Sequence, residues 1–149
     1  MTEFNPKQYL AEIKHIDEDI RSRQEEIDSL RQTVAIRTSS IREDKVQETH
    51  SGSFDDRYAE LLQKTEKLTS EMNSKIDELV DVKIRISNEI DMMDSRISRI
   101  ILRERYINLK TYEDISELLS YDLRHIYKLH GRALEDFKDA MLGHVLRMK

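Results

Sequence analysis

The feature that most constrains this chain is the stretch from residue 55 to residue 106, which contains neither glycine nor proline and repeats its apolar residues every three or four positions. This spacing predicts one long helix with a narrow apolar stripe. The stripe is formed by Tyr58, Leu61, Leu68, Met72, Ile76, Leu79, Val82, Ile86, Ile90, Met93, Ile97 and Ile100. Such a helix would be roughly 75 Å long, longer than a small globular core. The stretch therefore predicts a coiled coil, within the chain, between chains, or both.

A shorter stripe precedes this stretch. Asn5 and Pro6 are expected to start the helix, because asparagine caps helices and proline is tolerated in the first turn. The stripe then runs through Tyr9, Ile13, Ile16, Ile20, Ile27, Leu30 and Val34. We therefore predict a coiled-coil helix over 1–36, a polar loop over 37–54 and the long helix over 55–106.

Composition supports an all-α fold and disfavours an enzyme. Charged residues make up 37% of the 149 residues, and only three glycines and one proline occur, which favours long helices over a large core or disorder. The chain has no cysteine, no histidines at metal-binding spacing and no glycine-rich phosphate loop. We expect no catalytic residues, metal, cofactor or small-molecule substrate. With no signal peptide and no apolar run that could span a bilayer, the expected location is cytoplasmic and away from membranes.

The charge distribution separates the last third of the chain from the rest. The net charge is −5, but residues 1–98 hold 15 Lys+Arg and 22 Asp+Glu, whereas residues 99–149 hold 10 and 8. Any affinity for DNA is therefore expected in the last third.

Residues 107–149 are predicted to contain two short helices joined by a tight turn. Thr111 and Asp114 match a capping box, and Asp122 is a second cap, after a break at Ser120 and Tyr121. The first helix is expected to bury Tyr112, Ile115, Leu118 and Leu119, and the second to bury Ile126, Leu129, Ala133 and Phe137. This arrangement predicts a helix-turn-helix, whose second helix enters the major groove. The candidate DNA-binding residues are Leu123, Arg124, His125, Tyr127, Lys128 and Arg132.

The same region resembles region 4 of sigma-70-type factors. The resemblance rests on Leu102-Arg103-Glu104-Arg105-Tyr106, Thr111-Tyr112-Glu113-Asp114-Ile115, Leu118-Leu119, Ile126, Leu129 and Arg132-Ala133-Leu134. It implies that five residues lie where sigma factors contact promoter DNA: Leu123, Arg124, His125, Tyr127 and Lys128. The sequence departs from the family where Leu123, His125 and Tyr127 stand in place of arginines, and where Ser120-Tyr121 replaces Gly-Val. A different base sequence is therefore expected.

The combination of a helical N-terminal part with this module is similar to small phage transcriptional regulators of the ArpU/RinA type. It implies a phage or prophage regulator that binds double-stranded DNA as a homodimer held by the coiled coil. Two alternatives stay open: a coiled-coil assembly or packaging protein, and a module that binds RNA polymerase.

Overall fold

The computed structural model describes the backbone of residues 3–43 and 51–147, and the side chains of residues 3–36 and 56–144. The fold is all-α, and the described residues contain no strand. The helices are α1 (Pro6–Leu10), α2 (Glu12–Glu43), α3 (Ser51–Asp91), α4 (Arg96–Leu102), α5 (Tyr112–Leu119) and α6 (Leu123–Arg147), with a π-helical turn at Arg103–Ile107 between α4 and α5. None of the described helices combines the length and apolar character needed to cross a membrane.

The helix termini confirm some boundaries and correct others. Asn5 caps α1 as predicted, and its side chain accepts hydrogen bonds from the backbone of Lys7 and Gln8. The predicted loop over 37–54 was too wide, because residues 37–43 continue α2 and residues 51–54 begin α3. A loss of apolar periodicity does not end a helix that lacks proline, and Gly52 lies in a first turn. Residues 44–50 lie outside the described part of the chain.

The predicted continuous helix over 55–106 was wrong at residues 92–95. There α3 ends and α4 begins, with the side chain of Ser95 capping the backbone of Ser98. Arg99 Nη1 donates to the carbonyl oxygens of Met93 and Asp94 at 2.6 and 3.0 Å. These carbonyls at the end of α3 are thus satisfied by a side chain rather than by another helical turn. The π-helical turn is a second departure from a uniform helix.

The described residues form two compact units, which divide the chain differently from the four predicted segments. The first unit comprises residues 1–16 and 79–149, and α1 packs against α6 within it. Phe4, Tyr9 and Phe137 form an aromatic cluster with ring centroids 5.5 to 6.5 Å apart. Tyr9 Oη donates to the carboxylate of Glu89 at 2.6 Å, and burial together with this carboxylate raises the pKa of Tyr9 to about 12.

The pairing of α2 with α3 in the first unit is antiparallel. Tyr9 bonds to Glu89, and Glu12, three residues later, pairs at 2.8 Å with Arg85, which is earlier in α3. These contacts lie within one chain, which is one of the settings that the sequence left open.

The second unit comprises residues 17–78. Within it, Arg23 Nη1 lies 2.8 Å from Glu71 Oε2, and Ile27 is fully buried. Ile20, Leu30 and Val34 are only half-buried. The predicted apolar stripe of α2 is therefore less completely buried at these positions than at Ile27.

Candidate nucleic-acid interface

A small apolar core holds α4, α5 and α6 together. Ile101 from α4, Ile115 from α5 and Ile126 from α6 are fully buried against one another. Around these three residues pack the half-buried side chains of Ile97, Tyr112, Leu119 and Leu129. Each helix contributes one fully buried isoleucine, so the core fixes the position of α6 relative to both neighbours.

The connection between α5 and α6 is short and tightly bonded. Thr111 and Asp114 form the predicted capping box at the start of α5. Ser120 ends α5 in the left-handed conformation at φ 57° and ψ 38°, where glycine is the favoured residue. The Ser116 hydroxyl donates to the Tyr121 carbonyl oxygen. Asp122 Oδ1 then accepts from the Arg124 backbone at 3.1 Å, so Asp122 caps α6 as predicted.

The sequence analysis did not identify a buried pair of stacked rings, Tyr106 and His130, which is called the aromatic support below. Tyr106 Oη and His130 Nε2 share a hydrogen bond of 2.7 Å, and their rings stack at 5.6 Å. His130 is 7% exposed. Desolvation, with repulsion from Arg105 and Lys7, lowers the pKa of His130 to about 4, and burial raises the pKa of Tyr106. His130 is therefore a neutral core residue at physiological pH.

Tyr112 links this support to the exposed side of α6. The guanidinium carbon of Arg105 lies 4.1 Å from the centre of the Tyr112 ring, and Arg105 Nη1 donates to the Lys110 carbonyl oxygen at 3.0 Å. The edge of Tyr112 meets the rings of His130 and Tyr127 at 5.2 and 5.0 Å. Tyr127 is therefore held in place on one side and 49% exposed on the other.

The structure places the predicted DNA-binding residues on the first ten residues of α6. Five of the six are exposed: Arg124, His125, Tyr127, Lys128 and Arg132. Leu123 differs, because it is half-buried beside the turn. The inner stripe is as predicted, with Ile126, Ala133 and Phe137 fully buried. The exposed face is thus basic and aromatic, and its inner side is anchored in the core.

The side chains of the cations on this face have no partner among the described residues. Among the side chains described, no carboxylate pairs with Arg124, Lys128 or Arg132, and no hydrogen bond engages them. Some basic residues elsewhere in the unit are paired, as Arg103 is with Asp91 and Lys110 with Glu104. The Lys110 contact also lowers the pKa of Glu104. Three cations on one helix face are therefore paired with no described side chain and can bind an external anion.

Two residues of the module lie differently from expectation or were missed. Leu118 was predicted to be buried but is 53% exposed, because α5 is only two turns long and turns Ile115, not Leu118, into the core. Tyr121 was treated only as part of the turn. Its side chain is exposed beside His125, with ring centroids 5.0 Å apart, and it extends the aromatic surface. An aromatic residue in a polar turn was the available signal.

Within the described residues, no three His, Asp or Glu side chains are grouped as metal ligands would be.

A family model described as "protein of unknown function (DUF1492)" matches residues 35–138, more than half of the chain. Its match includes α3, α4, α5 and the exposed basic face of α6. No curated protein and no solved structure matches the chain.

Proposed function

The chain belongs to the DUF1492 family, and from that premise we propose that it is a non-enzymatic regulator of transcription that binds double-stranded DNA through α6. The observation that carries this proposal is a row of exposed cations, Arg124, Lys128 and Arg132, that pair with no described side chain and lie on a helix anchored by buried Ile126. The resemblance to sigma-70 region 4 and to phage regulators of the ArpU/RinA type supports a phage or prophage origin.

Phosphate contact is the first component of the proposed binding. Lysine and arginine side chains that neutralise phosphates release counterions, and this makes affinity strongly dependent on salt. Lys128 and Arg132 are exposed, and neither must break an ion pair with a described residue before it reaches a phosphate. The N-terminus of α6 adds a favourable helix dipole.

Base contact is the second component. Arg124 lies in the first turn of α6, where helix-turn-helix proteins read base edges, and arginine donates in pairs to guanine O6 and N7. Beside it, Tyr127 and Tyr121 offer exposed rings that can pack on thymine methyl groups. The proposed site should therefore contact fewer guanines than an arginine-rich helix would, and more thymine methyl groups.

A binding experiment with single variants tests the proposal. Wild-type protein is titrated against short random-sequence duplexes at low salt, and the bound duplexes are enriched and sequenced. Arg124→Ala should cost about 1–3 kcal/mol on the enriched sequence and relax its specificity. Lys128→Ala should weaken all sequences similarly and reduce the salt slope by about 1.

Lys138→Ala is the matched control on the same helix. Lys138 is already paired with Glu3 at 3.0 Å, so its removal changes the net charge equally but should leave DNA affinity unchanged. If neither Arg124→Ala nor Lys128→Ala changes binding, α6 does not read DNA. The absence of any wild-type complex at low salt would remove the proposal as a whole.

Dimerisation is part of the same proposal. A small net charge in the last third predicts modest affinity for one module, and two modules would double the basic footprint and set a half-site spacing. The exposed Ile76, Val80 and Ile84, spaced four residues apart along α3, support a further partner for that helix. Light scattering distinguishes the dimer expected for a regulator from the large ring expected for a packaging component.

A second candidate function is protein docking through α5. Leu118 is exposed, and it lines a shallow groove with Lys110, Asp114 and Glu117. This surface is acidic and apolar, and it is suited to a protein rather than to DNA. RNA polymerase is the candidate partner. Recovery of polymerase from nuclease-treated extract by the wild type but not by Leu118→Ala would favour docking, and equal recovery by both would count against it.

A further inference from the structure

Gly131 lies in the middle of the exposed side of α6. It follows Arg124 by seven residues, which is two helical turns, and therefore shares its face about 10 Å further along the axis. Lys128 and Tyr127, both exposed, precede it by three and four residues and are its neighbours on the helix surface. The glycine is thus part of the proposed DNA-binding face.

No described residue requires a glycine at position 131. Its φ angle is negative, because none of the described glycines has a positive φ. A Cβ added at residue 131 would meet no atom within 4 Å, so no neighbouring side chain needs the space. Relative to alanine, glycine in a helix interior lowers the folding equilibrium constant about fivefold. The residue is therefore unfavourable for stability and unexplained by internal packing.

A remaining reason for a glycine in a helix is that it lets a ligand approach the main chain closely. We propose that the sugar-phosphate backbone of the duplex packs directly on the main chain of α6 at Gly131. The major groove is about 12 Å wide, so a helix that reads bases at Arg124 meets the groove wall about two turns later. Lys128 would hold the phosphates at this wall. Exposed Glu135, one turn beyond, would repel phosphate and marks the end of the contact.

This inference rests on the proposed function, and Gly131→Ala tests it. The substitution should raise the melting temperature of the full-length protein by about 2–4 °C, because alanine favours the helix. It should also weaken binding to the duplexes enriched by the wild type by at least about fivefold, because a methyl group is forced into a packed interface. A variant that is more stable and binds less well cannot owe its defect to unfolding.

Gly143→Ala is the matched control. Gly143 is also in α6, and an added Cβ would likewise meet no atom within 4 Å. It should stabilise the protein similarly and leave DNA affinity unchanged. Equal binding by wild type and Gly131→Ala overturns the inference while leaving the proposed function intact. An equal loss of affinity in both glycine variants has the same consequence, because the loss would then come from a stiffer helix rather than from a contact at Gly131. A change in sedimentation with unchanged DNA binding would assign Gly131 to a contact between copies and overturn it too.

Discussion

Acidification should destabilise the first unit through His130. The imidazole is almost fully buried and bonded to Tyr106, and it faces Tyr112 from α5, Arg105 from the π-helical turn and Lys7 from α1. None of these neighbours is an anion, so nothing compensates a charge on the ring. Protonation is therefore much easier in the unfolded chain than in the folded one.

The magnitude follows from the two pKa values. Histidine in an unfolded chain has a pKa of about 6.5, whereas that of folded His130 is about 4. Each tenfold difference in proton affinity is worth about 1.4 kcal/mol, so the difference amounts to about 3 kcal/mol. The stabilisation is complete above pH 6.5 and is lost progressively as the pH falls to about 4, because only the unfolded chain binds the proton in that window.

Urea denaturation followed by circular dichroism at a series of pH values measures this loss. Carboxylates titrate near the lower end of the same window, so the comparison of interest is with His130→Gln. That variant keeps a hydrogen-bonding group near Tyr106 but cannot be protonated. Its stability should fall by about 3 kcal/mol less than that of the wild type between pH 6.5 and pH 4.

His125→Gln is the control, because it removes a histidine that lies on the exposed face of α6. Its stability curve should retain the wild-type fall. Parallel curves for the wild type and His130→Gln would refute the reasoning, because they would mean that the buried ring takes up its proton as readily as an exposed one.

Two further predictions concern α5, α6 and the turn between them. Ser120→Gly should stabilise the protein by about 0.5–1 kcal/mol in thermal melts, because Ser120 is left-handed, and Ser120→Ala should bring no such gain. A loss of stability in the glycine variant would contradict this account of the turn. Ile126→Ala should cost about 2–5 kcal/mol in urea, because Ile126 is fully buried in the three-isoleucine core. Leu118→Ala, at a half-exposed position, should cost less than about 1 kcal/mol, and equal costs would contradict the described core.

The parts of the fold that local chemistry determines could be predicted from the sequence. The caps at Asn5, Thr111 and Asp122 each depend on a side chain and a backbone group no more than three residues away. The inner stripe of α6 was also predictable, because a helix with one polar face buries the other. The exposed position of Arg124 follows from the same periodicity.

What depends on distant partners could not be predicted. The chain breaks between α3 and α4 although residues 92–95 include no glycine or proline. The new helix is held in place by Ser98 Oγ, which donates to Asp136 Oδ2, 38 residues later, at 2.8 Å. His130 has no sequence signal beyond its place next to the inner stripe, because its burial arises from the π-helical turn folding over it. Leu118 was wrongly predicted to be buried, because the spacing of apolar residues does not tell which of two adjacent rows of side chains on a helix faces the core.

The packing of α1 on α6 has a consequence for synthesis on the ribosome. Phe137, against which the rings of Phe4 and Tyr9 both lie, is added to the chain more than a hundred residues after them. The sides of these two rings that contact Phe137 must therefore stay uncovered by it while more than a hundred residues are made, at about 5–20 residues per second. The first unit can be completed only after α6 has left the exit tunnel, so a nascent chain stalled before residue 137 should carry an unprotected aromatic segment that chaperones and proteases can reach.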